Sequence, residues 1–91
     1  MTEEKKKYMA KQMALALPVM RKTLNLKQTD VCEKTGVSRS ILSGVECGRR
    51  TLSWDTFLTL VPLFWANERT RSLFKVFDID MDGLQEYLTV K

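Results

Sequence analysis

QTDVCEKTGVSRSILSGVECGRR, residues 28–50, is the stretch that decides the fold. It contains two helix-like runs on either side of Gly36, whose tolerance of a positive φ suits a tight reversal between them. Cys32 is small enough to let the two helices cross closely. Apolar residues at helical spacing face inward from both runs: Val31, Val37, Leu42 and Val45. The pattern predicts two short helices that cross at a glycine turn.

The outward side of the second run is short, polar and basic. It carries Ser38, Arg39, Ser40, Ser43 and Gly44. A purely structural helical hairpin would also use the glycine, but it would not need such a face. A helix that approaches a DNA groove does need one, because small and basic side chains allow close contact. The stretch is therefore interpreted as a helix-turn-helix.

Positive charge is concentrated in the middle of the chain. Residues 20–52 carry seven basic and three acidic residues, a net +4. Residues 1–19 have four Lys and two Glu, and residues 53–91 have four basic and six acidic residues. Basic segments attract polyanions, DNA above all, although a solvated surface explains the charge equally well. The lysine-rich N-terminal helix is expected either to reach DNA or to pack with the C-terminal tail.

Composition places the chain among soluble globular proteins. It has 91 residues, of which 44% are hydrophobic and 29% charged, enough for a single domain over residues 1–91. No apolar stretch is long enough for a bilayer span, and no signal peptide is recognisable. We therefore expect a cytoplasmic protein, associated with the bacterial nucleoid, with no membrane partner.

The residue types of enzymes and metal sites are scarce. There is no histidine, and two cysteines are too few for a zinc site. The segment DIDMDG, residues 78–83, imitates the start of a calcium-binding loop, but Thr89 stands where the bidentate glutamate is required. We expect no catalytic residues, no metal and no cofactor, and hence a protein that is not an enzyme.

Helical spacing continues along the whole chain without an alternating strand pattern, so the predicted fold class is all-α. The predicted helices run from about residue 3 to 24, 28 to 34 and 38 to 47, then from Ser53, from Asn67 to about Phe77, and from Asp82. Ser38 and Ser53 are expected to be N-caps. Pro18 is expected to kink or break the first helix near Leu17, because a proline inside a helix costs about 3 kcal/mol or more. Asn25 is expected to end it in a left-handed conformation, and Gln85 to complete a capping box with Asp82.

The stretch LNLKQTDVCEKTGVSRSILSGVECGRR, residues 24–50, resembles the Cro/repressor-type helix-turn-helix family of bacterial and phage regulators, also called xenobiotic-response-element-like. The resemblance extends over roughly residues 20–64. It implies a lambda-repressor-like domain of five to six helices, with the helix-turn-helix core at about 18–65 and an extra helical tail at about 66–91. In that family the helix after the glycine turn enters the DNA major groove.

The resemblance implies which residues meet DNA. The expected base contacts are Arg39, Ser40, Ser43 and Gly44. The expected phosphate contacts are Lys27, Gln28, Ser38, Arg49 and Arg50. Arg39 is the strongest candidate for base reading, because arginine can bond guanine bidentately. Gly44 occupies a position where relatives often carry a base-reading side chain.

The resemblance also implies structural roles. Arg21 and Glu46 occupy positions that often form an ion pair in the family. Cys32 and Gly36 are expected in the core and in the turn. Lys27 replaces the usual Thr, Ser or Asn cap of the second helix, which weakens that cap by about 1 kcal/mol.

The predicted function is that of a sequence-specific, double-stranded DNA-binding transcriptional regulator of a bacterium, phage or mobile element. The expected partner is a second copy of the chain, because one short helix reads only a few base pairs. The expected dimer interface is apolar: Leu60, Leu63, Phe74, Phe77, Leu84 and Leu88. The tail could instead form an added core or bind another protein. Two alternatives remain: a DNA-binding antitoxin whose tail covers a toxin, and a protein-interaction module that has lost DNA binding.

Overall fold

Six α-helices and no strand make up residues 1–90, which the computed structural model describes. They are α1 Glu3–Thr23, α2 Gln28–Thr35, α3 Arg39–Glu46, α4 Trp54–Ala66, α5 Glu68–Val76 and α6 Met81–Leu88. The prediction of an all-α fold is confirmed. Within this part of the chain, no helix combines the length and the apolar character that crossing a bilayer requires.

The first helix is the element on which α3, α4 and α5 pack. Met9, Met13, Leu17 and Met20 recur on one of its faces, and each is at most 1% exposed. Burying an apolar side chain of this size contributes roughly 1.5–3 kcal/mol. One continuous apolar stripe on α1 therefore organises the core.

Of the kink or break that was expected near Leu17, the break does not occur, because α1 is continuous through Pro18. Ala16 and Leu17 before the proline and Met20 after it are all buried in the same core. Packing on both sides of Pro18 holds the helix together and offsets the local cost of the proline. As predicted, Asn25 follows the helix with a positive φ of 56°.

Side-chain caps mark four helix starts, at Thr2, Ser38, Ser53 and Asp80. Ser38 Oγ accepts a hydrogen bond from the Ile41 N–H at 3.2 Å, and Ser53 Oγ accepts one from Thr56 at 3.2 Å. Both caps were predicted. The predicted Asp82 cap is wrong, because α6 begins at Met81 and the Asp80 carboxylate accepts from the Gly83 N–H at 2.9 Å.

The C-terminal tail folds back on the rest of the chain. Leu60, Phe74 and Leu84 are at most 3% exposed within the chain's own core. Their prediction as dimer-interface residues is therefore corrected: α5 and α6 close an intramolecular core around them. Leu63 and Phe77 are partly buried, and Leu88 is 54% exposed.

Polar side chains of the first half of α1 bind the tail, in an arrangement that we call the tail clamp. Its bonds are Lys5 Nζ to Asp80 Oδ2 at 2.6 Å, Tyr8 Oη to Asp78 Oδ2 at 2.8 Å, and Gln12 Nε2 to the Phe77 carbonyl at 2.8 Å. Hydrogen bonds from the Lys5 ammonium and the Gly83 N–H hold the pKa of Asp80 below its usual value. Of the two expectations for the lysine-rich helix, packing with the tail is the one observed for Lys5.

Candidate nucleic-acid interface

The turn between α2 and α3 has the predicted geometry. Gly36 has a φ of +81°, and its N–H donates to the Cys32 carbonyl at 2.8 Å, which ends α2. Cys32 is half-buried against the core. The inward-facing residues are at most 9% exposed: Val31, Val37, Leu42 and Val45. One side of α3 is thus anchored, and its other side faces outward.

Arg21 and Glu46 fix the end of α3 to the end of α1. Arg21 Nε and Nη2 donate to the two Glu46 oxygens at 3.0 and 2.9 Å, so the ion pair is bidentate. The Arg21 and Glu46 side chains are only 18% and 7% exposed. Arg21 Nη1 also donates to the Leu26 carbonyl at 3.1 Å. The predicted ion pair is confirmed, and it sets the orientation of α3.

The start of α2 carries two of the predicted phosphate contacts. Gln28 Nε2 donates to Glu46 Oε1 at 3.3 Å, so the ion pair also orients this amide. Lys27 is exposed and makes no capping bond through its side chain, as predicted. Its N–H donates instead to Asp30 Oδ2 at 2.7 Å, which partly replaces the missing cap.

The outward surface of α3 is polar and electropositive. Ser38, Arg39 and Ser40 are exposed at its start, and Ser43 is half-buried. Arg49 and Arg50 are exposed just after its end. Within residues 1–90, neither Arg39 nor these two arginines forms an ion pair. We call Ser38, Arg39, Ser40, Ser43, Arg49 and Arg50 the α3 surface.

Gly44 does not belong to this open surface, so its prediction as a base contact is wrong. The residue is buried beneath Arg50. A Cβ at Gly44 would lie 3.2 Å from Arg50 Cβ and 3.7 Å from both Cδ and Nε of the same arginine. The arginine side chain therefore covers the place that a side chain at position 44 would take.

The segment after α3 is held on the helix by its backbone. Gly48 has a φ of +81°, and the N–H groups of Arg49 and Arg50 both donate to the Gly44 carbonyl, at 3.0 and 3.1 Å. Arg49 Nε donates to Cys47 Sγ at 3.0 Å, which lowers the pKa of this exposed thiol. The two neighbouring arginines thus leave the backbone in different directions.

Two features of the molecule escaped the sequence-based reasoning. One is the Arg50 side chain over Gly44, for which the only signal was a glycine inside a short helix where no turn requires it. The other is an apolar groove of about 470 Å³ between α4 and α6. Its apolar lining includes Leu58, Val61, Pro62, Trp65, Leu84 and Leu88. Among residues 1–90, no cluster of three or more His, Cys, Asp or Glu side chains could hold a metal ion.

Comparisons with protein-family models, with curated proteins and with solved structures found no match. The functional argument therefore rests on the geometry of the α3 surface. Its charge, its exposure and its rigid attachment are the properties from which a function can be inferred.

Proposed function

We propose that the protein is a sequence-specific, double-stranded DNA-binding regulator of transcription from a bacterium, phage or mobile element, and that it acts in the cytoplasm on nucleoid DNA. In this proposal α2 and α3 form a helix-turn-helix within a lambda-repressor-like fold. The observation that carries it is the α3 surface. Arg39 stands exposed at the start of a helix whose other side is buried, and it forms no ion pair within residues 1–90. No catalytic role is proposed for any residue.

The mechanism begins with the attraction of phosphates to the basic surface. Lys27, Gln28 and Ser38 bind backbone phosphates beside the start of α3, and Arg49 binds one beside its end. These contacts fix the register of the protein on the duplex but carry no sequence information. The rigid Arg21–Glu46 pair keeps this register the same in every complex, because it fixes α3 relative to α1.

Base reading is assigned to the first turns of α3. In helix-turn-helix proteins the N-terminal residues of the second helix reach base edges in the major groove. Arg39 bonds guanine through both O6 and N7, and Ser40 and Ser43 bond neighbouring bases. Because all three belong to one short helix, a single copy reads only a few base pairs.

Useful specificity then requires two copies on one site. We assign the apolar groove between α4 and α6 to the second copy, because Trp65 and Leu88 remain exposed there by 39% and 54%. A protein with two-fold symmetry reads two half-sites that are about 34–36 Å apart. The operator is therefore expected to be an inverted repeat.

Selection of binding sites from a random duplex pool tests the proposal directly. The selected sequences should contain two related half-sites one helical turn apart. Arg39→Ala should weaken binding to the selected site by about 1–3 kcal/mol and flatten the preference at one base pair. Arg49→Ala should weaken all duplexes alike and reduce the salt dependence by about one phosphate contact.

Two results would contradict the proposal. One is a chain that binds no duplex at low salt and enriches no sequence. The other is an Arg39→Ala variant that keeps both the affinity and the base preference of the original chain. The antitoxin and interaction-module alternatives would then have to explain the exposed arginines in another way.

A further inference from the structure

Gly44 occupies an unusual place in α3. It lies one helical turn after Ser40, on the same side of the helix, and away from the buried Leu42 and Val45. Its backbone is ordinary helix, since only Gly36 and Gly48 among the glycines have a positive φ. A glycine inside a helix costs about 1 kcal/mol relative to alanine. Backbone conformation therefore does not require glycine here.

A side chain at position 44 would meet the side chain of Arg50. The Cβ, Cδ and Nε of Arg50 lie 3.2–3.7 Å from the position of a Cβ at residue 44. The Arg50 N–H donates to the Gly44 carbonyl at 3.1 Å, and this bond holds the Arg50 backbone, and with it Cβ, beside Gly44. A missing side chain on the helix and an arginine from the following loop thus fit together.

Arg49 makes the contrast clear. Both arginines come directly after Gly48 and carry the same charge, but Arg49 Nε donates to Cys47 Sγ at 3.0 Å. Arg50 has no ion pair with any residue from 1 to 90, and its side chain runs along the outward side of α3. The two arginines are a matched pair with different directions.

We propose that Arg50 reads a guanine in the major groove, in place of the side chain that Gly44 lacks. This inference rests on the proposed function and changes one part of it, since the sequence alone placed Arg50 on a phosphate. The guanidinium supplies two parallel N–H donors to O6 and N7 of one guanine. Gly44 is then a specificity-determining position, because its lack of a side chain lets the arginine lie against α3.

The test compares Arg50→Ala with Arg49→Ala on the site selected by the original chain and on all of its single-base variants. We expect Arg50→Ala to lose about 10- to 100-fold in affinity for the selected site and to lose its preference at one G·C pair only. Preferences at the other base pairs should stay. Arg49→Ala should weaken binding to all variants by the same factor.

A second variant leaves Arg50 unchanged and fills the space that it uses. Gly44→Gln should lose preference at the same G·C pair as Arg50→Ala, and the double variant should lose no more than either one. Its unfolding temperature, measured alongside, checks that the fold is kept, because the gain from replacing a helical glycine is opposed by the 3.2 Å contact between the new Cβ and Arg50 Cβ. If this variant failed to fold, the Arg50→Ala profile would decide alone.

The outcomes separate this inference from the function on which it rests. If the original chain selects a site but Arg50→Ala weakens every variant equally, Arg50 is a phosphate contact and the inference is wrong. If the original chain selects no site at all, the proposed function fails first.

Discussion

The two ends of α1 use positive charge in opposite ways. At the first end, Lys5 is bound to Asp80 at 2.6 Å, and Lys6 Nζ lies 5.6 Å from the Trp54 ring centre and 5.1 Å from that of Tyr87. These lysines hold the chain's own tail. In the last turn of α1, the charge of Arg21 is neutralised by its mostly buried ion pair with Glu46. The arginines of the nearby α3 surface form no ion pair in the described part of the chain, residues 1–90.

The difference teaches that a basic sequence is not the same as a basic surface. Residues 1–19 are rich in lysine, yet Lys5 is paired with an acidic residue of the tail. What decides whether a charge can attract a polyanion is the presence of a nearer partner. The comparison makes a clear division: changes at the α3 end should alter base preference, whereas changes at the tail end should alter stability and leave base preference the same.

The largest effect is expected for Glu46→Ala. The change removes the acceptor of two Arg21 bonds and of one Gln28 bond. It should lower the free energy of unfolding by about 2–4 kcal/mol, because it leaves a mostly buried guanidinium without its carboxylate. Urea unfolding measures this loss, and a duplex titration should show weaker binding because α3 is no longer fixed.

Glu46→Gln is the matched control. It keeps the shape and one acceptor oxygen but removes the charge. Its free energy of unfolding should therefore lie between those of the original chain and Glu46→Ala. A Glu46→Ala variant with unchanged stability would mean that the ion pair does not hold α3 in place.

A smaller effect is expected for Gly83→Ala at the tail. In an ordinary helix this change would add about 1 kcal/mol of stability. Here a Cβ would overlap the Asp80 carboxylate, which caps α6 and binds Lys5. The lost cap is worth about 1 kcal/mol, which cancels the gain, and the lost bond to Lys5 adds to the cost. The free energy of unfolding measured in urea should therefore not rise.

The same change in an Asp80→Ala background reveals the cause. With the carboxylate gone, Gly83→Ala should stabilise the chain, so that the sign of its effect reverses. Base preference should stay the same in all of these tail variants. A change in base preference on altering the tail would break the division between the two ends of α1.

The smallest effect is expected for Asp80→Asn, and it depends on pH. Asparagine keeps the cap, so the variant loses only the charge that faces Lys5. Because the pKa of Asp80 in the folded chain lies below its usual value of 3.8, its contribution is present above that value and is lost as the pH falls through the lower, folded pKa. The unfolding temperatures of the two chains should differ at neutral pH and converge in acid. A difference that persisted in acid would place its origin outside the Lys5 pair.

Features that depend on near neighbours in the chain were predictable from the sequence. Gly36, Ser38 and Ser53 act within three or four residues of themselves, so local rules identify the turn and the caps. The Arg21–Glu46 pair, which spans 25 positions, was accessible only through the resemblance to a family. The lambda-repressor-like identity of the fold stays a prediction.

Features that depend on tertiary packing were not predictable. Leu60, Phe74 and Leu84 are apolar, but the sequence does not indicate whether such side chains pack within their own chain or against another copy. Pro18 was expected to kink or break α1. A local rule cannot weigh the burial on both sides of the proline, where the helix is continuous. The contact between the Arg50 side chain and Gly44 could not be predicted either, because it depends on how the loop after α3 returns to the helix.

Cys47 has a consequence for handling the protein. Its sulfur is exposed and accepts a hydrogen bond from Arg49, which lowers its pKa, so the reactive thiolate forms at a lower pH than in an ordinary thiol. Without a reductant, oxidation can join two molecules by a disulfide between their Cys47 sulfurs. The covalent product would be mistaken for a dimer that forms on DNA. Measurements of stoichiometry therefore call for dithiothreitol or a Cys47→Ser chain, with a non-reducing gel as the check.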